Sequence, residues 1–106
     1  MNTELKATLT PAVKEVILAS PFITLLSVSN QGDPHLIVVG KVKQITEEGQ
    51  LIFGIYKMEK TQANVLETGC LQAVAVSGKQ GYRFTGKAIV ENGELIFSIQ
   101  TITALL

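Results

Sequence analysis

The segment Lys57-Met58-Glu59-Lys60-Thr61-Gln62-Ala63-Asn64-Val65 is where the residue types of this chain come nearest to a chemical site. It leaves the apolar run LIFGIY, Leu51 to Tyr56, and opens at once into a helical pattern with a lysine and a threonine in its first turn. The first amides of a helix have no partner within it, and the aligned peptide dipoles put partial positive charge at that end. Those amides, the Thr61 hydroxyl and the Lys60 ammonium together suit an anion, and a phosphate monoester best of all. On spacing alone, an ordinary exposed lysine beside a partial cap is the simpler account of the same residues.

Other constellations are scarce. His35 is the one histidine, so no pair of imidazoles can hold a metal, and its place after Pro34 at a strand start reads as structural or solvent-facing. Cys70 lies between a helix end and an apolar strand, away from any helix N-terminus, and reads as a buried, inert thiol. A single cysteine forms no internal disulfide, which fits a reducing compartment. The chain holds no GxGxxG, no P-loop and no carboxylates paired on a helix face, and Glu47-Glu48 reads as a solvated turn. No residue is a convincing acid, base or nucleophile.

Composition narrows the class of partner. At 106 residues the chain is one domain, 1–106, able to bury about 65% of its unfolded surface in a single core. Nine Lys+Arg balance nine Asp+Glu, so the counterion-release term that drives nucleic-acid binding is missing. Charged residues make up only 17% and mean hydropathy is +0.32, more apolar surface than a small monomer buries alone, which points to a homodimer. The longest apolar stretch, Val16 to Val28, is broken by Ser20 and Pro21. No membrane span is expected, and the protein reads as cytoplasmic.

The elements that must position the segment follow from local pattern. Thr10-Pro11 is an N-cap followed by a first-turn proline, and Val13, Val16 and Ile17 recur at i, i+3, i+4, predicting a helix to about Ala19. FITLLSV, Phe22 to Val28, predicts a strand buried on both sides. The turn residues Asn30 to Pro34 then lead into a strand over His35 to Lys43, forming a hairpin. Leu51 to Tyr56 predicts a third strand, with Gly54 marking a β-bulge or the approach of a ligand or another backbone, the bulge being expected. Lys60 to Glu67 predicts a short helix closed by Thr68 and Gly69. Strands over Leu71 to Ser77 and Tyr82 to Val90 follow, and Asn92-Gly93 signals a hairpin into a sixth strand over Glu94 to Ile102. Five or six closely spaced antiparallel strands with two short helices predict a mainly β fold, a small barrel.

Three pieces carry a likeness beyond these patterns: Gly32-Asp33-Pro34-His35, Met58 to Val65, and Gly81-Tyr82-Arg83-Phe84-Thr85-Gly86. In this order and spacing, from about Leu9 to Val90, the chain resembles the pyridoxamine 5'-phosphate oxidase-like family of FMN-binding split barrels, above all its small single-domain members. The resemblance implies a split β-barrel homodimer with FMN between the subunits. It implies that Lys60 and Thr61 contact the phosphate and that Val38, Val39, Gly40 and Lys41 border the flavin ring through their backbone. Gly54, Ile55 and Tyr56 would lie beside them, Met58 near the exit, and Gly54 would leave room for the flavin. Arg83 falls outside the phosphate segment, and Glu94 to Leu106 stands where relatives carry a helix and a final strand. The function implied is an electron carrier or flavin-dependent reductase. The alternatives are a non-catalytic module for another flavin-like phosphorylated ligand and a cofactor-free dimer.

Overall fold

The structure, a computed structural model, describes residues 9–106. Helix α1 spans Pro11–Ala19, as the Thr10-Pro11 signal predicts: the Thr10 hydroxyl accepts from the Val13 amide at 3.2 Å, and Val13, Val16 and Ile17 are buried. Ser20 ends it, its one hydroxyl proton shared between the carbonyls of Val16 at 2.7 Å and Val76 at 2.9 Å, which fastens the helix end to the sheet. Helix α2 spans Glu59–Thr68 and stops at Gly69, whose φ of 70° suits a residue without a side chain.

Seven strands follow the order β1 Ile23–Val28, β2 Pro34–Val39, β3 Gln44–Ile45, β4 Gln50–Gly54, β5 Cys70–Ser77, β6 Gln80–Glu91 and β7 Glu94–Ala104. They form one antiparallel sheet ordered β2-β1-β5-β6-β7-β4-β3. Two predicted hairpins set the register of its long arms. Gly78, at φ 61°, turns β5 into β6, and Asn92-Gly93, at φ 52° and 76°, turns β6 into β7. The C-terminal segment is thus a full strand lying between β6 and β4.

Side chains alternate across the pleat. Phe84 is fully buried on β6 while Arg83 is exposed, and Tyr82 and Gly86 share the inner face with Phe84. Leu25, Leu51, Phe53, Ala73 and Phe97 meet both helices in one core.

Four expectations are corrected. There are seven strands, because the predicted strand from His35 to Lys43 stops at Val39 and its continuation re-enters the sheet only at Gln44–Ile45, paired to β4. β1 is buried on one face only, with Thr24, Leu26 and Val28 half-buried on the other. No bulge occurs at Gly54, since β4 pairs with β7 without a break from Gln50↔Ser98 to Gly54↔Glu94. The register shift falls instead between Thr85 and Gly86. Cys70 is half-buried, with Lys87 Nζ 3.7 Å from its sulfur.

Candidate functional site

The sheet curls so that its two free edges, β2 on one side and β3–β4 on the other, border one cleft of about 360 Å³. One wall is Ile37, Val38 and Val39 from the end of β2 with Gly40 and Lys41 beyond it. The opposite wall is Phe53 and Gly54 at the end of β4, and Tyr56, Lys57 and Met58 close it on the way into α2. An edge strand leaves backbone N–H and C=O groups unpaired, so the β2 wall offers donors and acceptors as well as apolar side chains. A Cβ on Gly40 would meet nothing within 4 Å, and one on Gly54 only Lys43 Cδ at 3.9 Å.

Of the residues expected at the site, Val38, Val39, Gly40, Lys41, Gly54, Tyr56 and Met58 come together here, although Val38–Lys41 and Gly54–Met58 belong to opposite edges of the sheet. Ile55 does not line the cleft and packs half-buried against the core. Lys60 is exposed and lines a separate polar depression with Ser29, Asn30, Asp33 and Glu67. Thr61 is 1% exposed, and its Oγ1 has no hydrogen-bond partner.

The start of α2 is chemically unfinished. Met58 occupies the cap position at φ −134°, ψ 43° and supplies no capping bond, and the first amide to find a helical carbonyl is that of Gln62, 2.9 Å from Met58 O. The amides of residues 59–61 precede it and are left without capping. Met58 is 2% exposed and both lines the cleft and holds the position just before α2, so the cleft and the helix start adjoin.

The charged side chains lining the cleft are Lys41 and Lys57, with no carboxylate among the lining residues. Lys41 Nζ donates to the Leu18 carbonyl at 2.8 Å. Lys57 Nζ stands 5.4 Å from the Tyr56 ring centroid, and Lys57 holds a positive φ of 53°. The nearby ion pair of Lys43 with Glu94, at 2.8 Å, is solvent-exposed and outside the cleft.

Ile37, Phe53 and Lys57 also line the cleft and were missed from sequence. Ile37 shares the inward face of β2 with Val39 by the two-residue period, and Phe53 adjoins Gly54, so both carried a usable signal. Lys57 opens the segment singled out from the sequence, but nothing in a lysine announces the left-handed backbone it holds. Among the described residues no cluster of His, Cys, Asp or Glu could hold a metal ion, and no helix is long and apolar enough to cross a membrane.

The architecture, a curled antiparallel sheet with its edges parted at one cleft, is a split β-barrel, and solved structures share it. A HupZ variant from Group A Streptococcus superposes with a TM-score of 0.78 at 17% identity, covering 92% of this chain and 100% of that one. An FMN-binding protein from Syntrophomonas wolfei gives 0.68 at 16% identity, over 88% and 80% of the two chains. HutZ, the heme storage protein from Vibrio cholerae, gives 0.63 at 13% identity, over 92% and 95%. No protein-family model and no curated protein matches the sequence.

Proposed function

We propose that the protein is a small flavoprotein that binds FMN at the interface of a homodimer and serves as an electron carrier or flavin-dependent reductase. The observation that carries this reading is the buried Thr61 hydroxyl left without a partner beside an uncapped helix start that adjoins an apolar cleft. A buried polar atom without a partner costs about 1 to 3 kcal/mol, and a ligand oxygen at that point removes the cost. The residues suit FMN in kind. Ile37, Val38, Val39 and Phe53 offer apolar surface to a ring, and the β2 edge offers backbone groups to its polar rim. The first turn of α2, with its free amides and Thr61, takes the phosphate.

When bound, FMN supplies the redox chemistry, and the chain's own part is to hold, orient and shield it. The titratable side chains lining the cleft are Lys41, Tyr56 and Lys57, with no carboxylate, histidine or cysteine among them.

The homodimer is supported by the outer face of the sheet. Leu36 and Val38 on β2 are 63% and 62% exposed, and register places Leu26 beside Leu36 and Val74 in the row of Val38. Val38 belongs both to this face and to the cleft, so a second copy laid on the face would close the site.

The likeness to HutZ raises heme as the competing ligand. His35, the chain's one histidine, does not line the cleft, so no imidazole from it is placed for an axial bond there. The test is the spectrum and mass of whatever co-purifies, followed by titration with FMN, riboflavin and hemin. Oxidised-flavin absorption, FMN bound more tightly than riboflavin, and a dimer by sedimentation are expected. Saturable hemin binding with no flavin binding would overturn the reading.

A further inference from the structure

Of the two lysines at the cleft, only one is tied down. Lys41 gives its ammonium to the Leu18 carbonyl in the last turn of α1. Lys57 has no ion pair and no hydrogen bond from its side chain among the described residues, and lies over the ring of Tyr56, itself 81% exposed. A cation over an aromatic ring is weakly held where water reaches both, so an anion arriving in the cleft competes for it readily. No carboxylate lines the cleft, and Glu59 in the first turn of α2 is exposed and outside the lining. Lys60, by contrast, lines the depression that also contains Asp33 and Glu67.

The backbone supplies an independent reason to look at this residue. Lys57 and Asn92 are the two non-glycine residues with positive φ among those described. Asn92 sits in a tight hairpin turn, where asparagine is a usual choice. Lys57 sits between the end of β4 and the start of α2, in a conformation that side chains seldom adopt. Such outliers collect where a fold fixes a side chain for use.

We infer that Lys57 is a ligand-contacting, specificity-determining residue of the cleft, whose ammonium leaves the Tyr56 ring to meet the anionic phosphate of a planar phosphorylated ligand. The inference rests on the flavin reading above and adds to it a cation on the cleft side of α2. The free amides of α2 begin two residues further on, so Lys57 and the helix start face one anionic group from neighbouring positions. Selection then falls on the phosphate: FMN is preferred over riboflavin, and the preference weakens as salt screens the ammonium.

The test is a titration of FMN and riboflavin against the unchanged protein and the variants Lys57→Met, Lys57→Asn and Lys57→Arg, with circular dichroism to verify the fold. Lys57→Met should raise the Kd for FMN on the order of tenfold while leaving riboflavin within about twofold. Lys57→Asn, which tolerates the left-handed backbone, should lose the same preference without loss of melting temperature, and Lys57→Arg should keep it. An unchanged FMN-to-riboflavin ratio in the Met and Asn variants, or an equal loss for both ligands, would overturn the role of Lys57 and leave the flavin reading standing. Failure of the unchanged protein to bind either flavin would overturn both.

Discussion

Gly86 lies so close to the carbonyl of Ser98 that a Cβ built on it would fall deep inside the contact distance of that oxygen. The approach occurs at the register shift between Thr85 and Gly86, where β6 bends against β7. Leu71, Gly86's partner on β5, is fully buried, so neither the strand nor its neighbour has room to move away. Gly86→Ala should therefore destabilise the protein by more than about 3 kcal/mol or prevent its folding, because backbone and not a flexible side chain must yield. A thermal melt of Gly86→Ala beside Gly40→Ala, whose added Cβ meets nothing within 4 Å and whose backbone is not left-handed, measures it.

Two adjacent residues of β6 should respond very differently to truncation. Phe84→Ala opens a cavity at a fully buried site and should cost about 3 to 5 kcal/mol. Arg83→Ala removes an exposed side chain that makes no ion pair among the described residues and should cost less than about 0.5 kcal/mol. Urea denaturation of both variants tests the inward and outward assignment of the strand.

Thr61 gives a prediction in which stability and affinity move in opposite directions. Thr61→Val keeps the shape of a buried side chain and removes a hydroxyl that has no partner, so the ligand-free protein should gain about 1 kcal/mol. The same change should weaken FMN by about 0.5 to 1.5 kcal/mol, with riboflavin little affected. Calorimetric titration with both flavins, beside thermal melts without ligand, separates a phosphate contact from a merely structural role.

The outer face of the sheet should carry the second subunit. Leu36→Glu with Val38→Glu places two like charges on the most exposed apolar residues of β2 and should convert a dimer into a monomer, since an obligate interface buries on the order of 2,000 Å² and tolerates no unpaired charge. Sedimentation at micromolar concentration reads the outcome, and flavin binding should fall with the dimer because Val38 lines the cleft as well.

Sequence alone determined what neighbouring residues decide among themselves. Thr10-Pro11 set the start of α1, Gly69 the end of α2, and Gly78 and Asn92-Gly93 the two hairpins, because caps and tight turns are settled within a few residues by hydrogen bonds and sterics. The alternation of Phe84 with Arg83 was equally legible, since the two-residue period needs only one buried face. Tertiary structure alone decided where β2 ends, since residues 40–43 carry an alternation as good as a strand's, yet the pairing partner for that stretch is absent on β1. It also decided that the bulge falls at Gly86 and not at Gly54, a matter of which backbone crosses which. The cleft itself, with Val38 and Gly40 facing Gly54 and Met58 from opposite ends of the strand order, exists only because the whole sheet curls. The same curl and the path from β4 into α2 place Lys57 at the cleft and Lys60 outside it, a difference that no local pattern of charges and periods encodes.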